Sequence, residues 1–128
     1  MLPSLDTEYL KLFPGFAVSM DGGMICVQIP NFRLPPGLNR EAADLLLRLA
    51  PGYPDIPPDM WWFQPVITRK DGGEIRATQV RENYFGRQWQ RWSRHFAPGQ
   101  WKAGLDSVES YLALIRKELA DAAGVKAA

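Results

Sequence analysis

Six consecutive residues, Tyr53-Pro54-Asp55-Ile56-Pro57-Pro58, constrain this chain more than any other stretch. Proline fixes φ, lacks a backbone donor and pushes the residue before it out of the helical region. Three prolines in so short a span exclude a helix and a central strand alike. The flanking residues are of a different kind. Leu45-Leu46-Leu47-Arg48-Leu49, stopped by Pro51-Gly52, is an apolar run of strand length, and Met60-Trp61-Trp62-Phe63 is another. Two buried strands joined by a rigid, non-helical crossing are therefore expected.

The rest of the chain supplies elements on either side of that pair. Residues 4–13 suit a short helix, with Ser4 or Asp6 as its cap and Leu5, Tyr9, Leu12 and Phe13 on one stripe, ended by Pro14-Gly15. Residues 16–20 and 24–29 flank Asp21-Gly22-Gly23, a hairpin pattern because glycine tolerates the positive φ that such turns need. Cys26 falls inside the second of these strands and reads as a small core residue. Residues 66–69 and 74–78, around Lys70-Asp71-Gly72-Gly73, form a second candidate hairpin. Residues 79–100 show no clean period. Their aromatic side chains argue for order, so the stretch reads as an irregular active or binding loop. The last helix is the best defined. Asp106 can cap it with Glu109 as capping-box partner, Val108, Leu112, Ile115 and Leu119 recur at helical spacing, Tyr111 and Leu114 widen the stripe, and Gly124 can end it. Helix, roughly four to six strands, irregular loop and helix make an α+β fold with an antiparallel meander sheet.

Composition narrows the function. The 128 residues suit a single domain, 1–128, and the net charge of +1 names no partner class by itself. One cysteine excludes an internal disulfide, and with one histidine it leaves no usual zinc ligand set, so no metal or cofactor is expected. No apolar run reaches membrane-spanning length and no signal-peptide pattern opens the chain. The cytoplasm is the expected location, with no membrane partner.

The chemistry concentrates in residues 89–95, Trp-Gln-Arg-Trp-Ser-Arg-His, which hold the only histidine. Ser93 lies eight residues before Trp101, and Trp101 is followed by Leu105, Val108, Leu112, Ile115 and Leu119. Together with the Tyr53-Pro54-x-x-Pro57-Pro58 turn between two strands, this order resembles the ubiquitin-conjugating (E2) family over roughly residues 5–120: its Tyr-Pro-x-x-Pro-Pro turn, its tryptophan and the crossing helix behind the active site. The chain is most similar to bacterial E2-like proteins with a Trp-x-Arg-Trp-Ser-Arg-His segment. The resemblance implies a UBC-like fold and, as partners, an E1-like activating enzyme and a ubiquitin-like protein.

The departures from the family pattern matter as much. Ser93 stands where the family keeps its nucleophilic cysteine, no His-Pro-Asn triplet precedes it, and the interval after Pro58 is longer than usual. The first helix is short and only one helix follows the site. A thioester cannot form at this position. An oxyester can, given a base and a stabiliser for the oxyanion. If the segment is extended, Ser93 and His95 project from one face, and an imidazole suits a general base. Asn83 offers an amide for the role of the family's asparagine. Arg91 and Arg94, with Trp89 and Trp92, are candidates for holding the partner or the incoming acyl group.

The plainer readings stay open beside these. Ser93 also reads as a small polar residue between large neighbours, His95 as a structural hydrogen-bonder, Asn83 as a turn residue, and the arginines as a solvated face or as cations stacked on tryptophan. Three functions follow: an E2-like transferase carrying its cargo on serine, an inactive E2 variant that binds a ubiquitin-like protein or scaffolds its E1, and, in a distant third place, a single-stranded nucleic-acid binder. The last would use Arg76, Arg81, Arg87, Arg91 and Arg94 interleaved with Tyr84, Trp89 and Trp92. Glu74 and Glu82 nearby disfavour nucleic acid.

Overall fold

The computed structural model describes residues 2–124. One antiparallel sheet contains β1 (Ala17–Asp21), β2 (Met24–Arg33), β3 (Ala42–Leu49), β4 (Met60–Gln64), β5 (Arg81–Tyr84) and β6 (Arg87–Ser93), in the order β1-β2-β3-β4-β6-β5. The helices α1 (Ser4–Leu10) and α2 (Val108–Ala122) cover one face of it. The α+β class, the antiparallel sheet and the two helices agree with the sequence, but the meander stops at β4, which pairs with β6 and not with β5. No helix among the described residues is long and apolar enough to cross a membrane.

The alternation of β-strand side chains sorts the residues onto two faces. Ile25, Val27, Ile29, Leu45, Leu47, Trp61, Phe63 and Trp92 point to the helices and meet Leu10, Val108, Tyr111, Leu112, Ile115 and Leu119 in the main core. On the opposite face Cys26, Leu46, Trp62 and Trp89 form a second buried cluster. Arginines roof it: the Arg48 guanidinium sits 4.0 Å from the Tyr84 ring centroid and that of Arg87 4.5 Å from Trp89. Tryptophan on both faces explains why β6 lacks a period of two, since Trp89 and Gln90 are both buried though they point to opposite sides.

Several expectations need correction. Residues 79–100 are not an irregular loop: most of them form the β5–β6 hairpin, turned by Phe85 and Gly86 with φ of 54° and 73°. The second candidate hairpin, 66–69 with 74–78, does not form. The backbone of 66–70 is already committed elsewhere, because Thr68 N–H donates to Asn39 Oδ1, Lys70 N–H to the Gly37 carbonyl and Ile67 N–H to Gln90 Oε1. Gln90 is 2% exposed, and its Nε2 returns a bond to the Ile67 carbonyl, so one side-chain amide takes the part of a missing strand.

The caps also differ. α2 is capped by Ser107 with Ser110 as its capping-box partner, not by Asp106 with Glu109, because Asp106 Oδ2 accepts from Lys102 N–H before the helix starts. Leu105 is 80% exposed and off the helical stripe. In α1, neither Ser4 nor Asp6 caps; Pro3 occupies that place, and Leu5 and Leu12 face outward while Leu10 is the residue driven into the core.

Asp6 instead points inward. Its carboxylate accepts from the Tyr53 hydroxyl at 2.7 Å and from Val108 N–H at 3.0 Å, joining α1, the proline-rich crossing and the start of α2. Burial and this carboxylate hold the Tyr53 hydroxyl well above the usual tyrosine range, so it remains a donor. Replacing Asp6 with alanine strands two buried donors. We expect a loss of roughly 1.5–3 kcal/mol, read as a lower urea midpoint at unchanged slope.

Candidate active site

β4 and β6 lie side by side with Met60 opposite Ser93, and this pairing builds the site. Ser93 N–H donates to the Ala77 carbonyl at 3.1 Å, and Arg94 N–H to the Asp59 carbonyl at 3.1 Å. These bonds pin the backbone on both sides through residue 94, at the end of β6, and His95 follows on the side of Ser93. Ser93 Oγ is 3.2 Å from His95 Nε2. On the other edge of the ring, His95 Nδ1 is 3.2 Å from Asp59 Oδ2. A carboxylate beside Nδ1 selects the tautomer with its proton there, leaving the Nε2 lone pair to accept from the serine hydroxyl. Ser93, His95 and Asp59 thus form a series, a hydrogen bond from serine to imidazole and a carboxylate in ion-pair contact beyond it, in which a proton on Oγ has an acceptor.

Packing from α2 steadies this arrangement. The Tyr111 hydroxyl donates to the Met60 carbonyl at 3.2 Å, and Phe96, directly after His95, packs on Trp101 and Tyr111. Burial, with Asp59 as a lesser contributor, keeps that tyrosine protonated well beyond its ordinary range. Trp101 lies against Tyr53 and donates from Nε1 to the Pro54 carbonyl at 2.8 Å. The proline-rich turn and the tryptophan, distant in sequence, touch behind the site.

Asp59 is the residue that sequence reasoning missed. It follows Pro57-Pro58 with no local pattern to mark it, and only the register of β4 against β6 brings it to His95. Asn83 moves the other way. It sits exposed on β5 opposite Gln88, five residues along β6 from Ser93, or roughly 16 Å at the usual rise per residue, so it cannot serve the serine.

The partner-binding expectations also change. Trp89 and Trp92 are both 0% exposed and belong to the two cores, so neither is available to a partner. Arg94 is 8% exposed and structural. Its Nε donates to Glu118 Oε1 at 2.6 Å, and Nη1 donates to the carbonyls of Ser93 and Arg76, clamping the backbone of the serine from the α2 side. Burial lowers its guanidinium from the ordinary arginine range, opposed by the bond to Glu118. Arg91 alone keeps an accessible place, on the same face as Ser93 and 3.7 Å from Glu82. The buried Trp89 and Trp92 offer no base-stacking surface, and Arg87, Arg91 and Arg94 each face a carboxylate, so these residues do not form the aromatic and basic mixture expected for single-stranded nucleic acid. A cleft of about 180 Å³ opens beside His95, floored by Phe96 and Leu114 and rimmed by Arg76, Gln100 and Lys117. The single thiol, Cys26, is 0% exposed inside the sheet, and burial raises it above the ordinary thiol range.

An antiparallel sheet backed by a crossing helix, with a Tyr-Pro-x-x-Pro-Pro turn packed on a tryptophan beside the site, is consistent with an E2-like fold. The family model described as prokaryotic E2 family E matches residues 2–122, and the chain belongs to that family. No match was found among curated proteins or solved structures.

Proposed function

We infer that the protein is an E2-like carrier that accepts the C-terminus of a ubiquitin-like protein from an E1-like enzyme on Ser93, as an oxyester, and hands it on. The observation that carries this reading is the 3.2 Å separation of Ser93 Oγ and His95 Nε2; the eight-residue spacing to Trp101 makes this position resemble the one where an E2 keeps its cysteine. A serine hydroxyl is scarcely ionised near neutrality and attacks a carbonyl only when a base takes its proton. His95 fills that role, with Asp59 stabilising the imidazolium that results. Arg91, two residues before Ser93 and on the same face of the strand, is the cation this reading assigns to charge developing on the acyl oxygen, since the adjacent Arg94 is buried against Glu118. The cleft beside His95 is where the reading seats the extended tail that ends in the reacting carbonyl, against the basic rim of Arg76 and Lys117.

A second reading, a module that binds a ubiquitin-like protein or its E1 without covalent chemistry, is favoured by the burial of Cys26, which leaves no accessible thiol. Incubation with a cognate E1-like enzyme, ATP and the ubiquitin-like protein separates the two. The carrier yields a hydroxylamine-sensitive adduct that is absent from Ser93→Ala. An adduct untouched by that substitution sinks the carrier reading, and a lasting complex with no covalent product at any time supports the binding module.

A further inference from the structure

We propose that the same three residues also discharge acyl-Ser93 to water, making the protein a serine-type hydrolase of the activated C-termini it accepts. The proposal rests on the carrier reading for its acyl-enzyme and adds a second half-reaction. It starts from Asp59, which serves the loading step and which nothing in holding or handing on a loaded acyl group requires. A thiol carrier needs no resident base once loaded, because its thioester is already activated toward amines. Here the site holds a base on the nucleophile and a carboxylate on the far edge of that base, 3.2 Å on each side. That is the arrangement in which the proton taken from serine in one step is the one given up in the next.

The atoms balance as follows. In the first half, Ser93 Oγ bonds to the carbonyl carbon of the activated C-terminus, its proton passes to His95 Nε2, and the leaving group departs with that proton. In the second, a water oxygen bonds to the same carbon while its proton passes to Nε2. The bond from Oγ to the carbon then breaks, Oγ recovers the proton, and a free carboxylic acid leaves. Asp59 touches no reacting atom. It is a positioning residue that keeps the proton on Nδ1, so that Nε2 meets first the hydroxyl and then the water.

Access favours the second half. The side chains of His95 and Asp59 are 63% and 53% exposed, so bulk water reaches the face of the ester that Nε2 addresses. Ser93 itself is only half-buried, at the end of its strand. A general base so placed accelerates attack by water about 10²–10⁴-fold, whatever acceptor amine is present.

The test uses the full chain with p-nitrophenyl acetate as acyl donor. The expected result is a burst of nitrophenolate, one acetyl group on Ser93 by peptide mass mapping, then continued turnover that Ser93→Ala lacks. Asp59→Asn should fold as the parent does, because its side chain is exposed, but turn over on the order of 10²–10⁴-fold more slowly, with an altered pH profile. A burst followed by stable acetyl-Ser93 overturns the hydrolase and leaves the carrier standing. No acetyl-Ser93 at all overturns the carrier reading, and the hydrolase with it. Turnover in Asp59→Asn equal to the parent at every pH removes Asp59 from the mechanism and overturns the proposal.

Discussion

Replacing Trp92 with alanine is expected to cost about 3–5 kcal/mol, enough to leave much of the chain unfolded near physiological temperature. Trp92 is 0% exposed; it stacks on Trp61 with ring centroids 6.2 Å apart and meets the Phe63 ring edge-on at 5.7 Å. The loss exceeds the transfer energy of one indole because the two large rigid rings beside it cannot collapse into the space it leaves. Its Nε1 donates to Gln90 Oε1 at 3.0 Å, the same oxygen that holds Ile67 N–H, so the substitution also loosens the side chain that stands in for a strand. Chemical denaturation followed by tryptophan fluorescence and by circular dichroism measures this. A loss below about 1 kcal/mol, the size of an ordinary substitution, would show that the core is not built around this ring. Trp92→Phe, which keeps a ring, should recover a large part of the difference.

His95→Gln is expected to act in the opposite way, leaving stability alone and removing reactivity. The side chain is 63% exposed and makes two polar contacts, so the melting temperature should hardly move. Glutamine can still accept a hydrogen bond from Ser93 but cannot take its proton, and the rate at which Ser93 is acylated should fall about 10²–10⁴-fold. Single-turnover formation of the hydroxylamine-sensitive adduct is the measurement. A variant that acylates at the parental rate would assign His95 to structure. A variant that acylates slowly but also melts many degrees lower would make the loss uninformative about the base, and the pH profile of Asp59→Asn would then decide.

Much of the fold was readable because the constraints were local. Three prolines in the 53–58 turn force the crossing, Gly22-Gly23 turns the first hairpin with positive φ at both positions, and the apolar stripe of α2 repeats every helical turn. What escaped reading depends on contacts between distant segments. The β5–β6 hairpin turns at Phe85-Gly86 rather than at an Asn-Gly or Asp-Gly pair, and β6 is buried on both faces, so neither the turn nor the alternation stood out. Residues 66–78 had the turn of a hairpin, but their backbone groups were taken by Asn39 and Gln90, whose involvement no local pattern reveals.

The candidate site divides along the same line. Ser93 and His95 are two residues apart, and the local chain alone puts them on one side. Asp59 lies 34 positions earlier (93 − 59 = 34), and only strand pairing brings it there. For Asn83, Trp89 and Trp92 the residue types fit the chemistry, but their place in the sheet holds them away from the serine hydroxyl or inside the core.

The sheet order has a consequence for when reactivity arises. β6 enters between β4 and β5, so the carboxylate and the imidazole meet only after the last hairpin has docked against a strand made much earlier. A chain still emerging from the ribosome, or one whose final hairpin has come loose, keeps the hydroxyl and its ring as neighbours but has no anion to hold the ring's orientation. The ability to react with an acyl donor is thereby tied to completion of the fold, and the rate of Ser93 acylation can serve as a readout of how much of a preparation is correctly assembled.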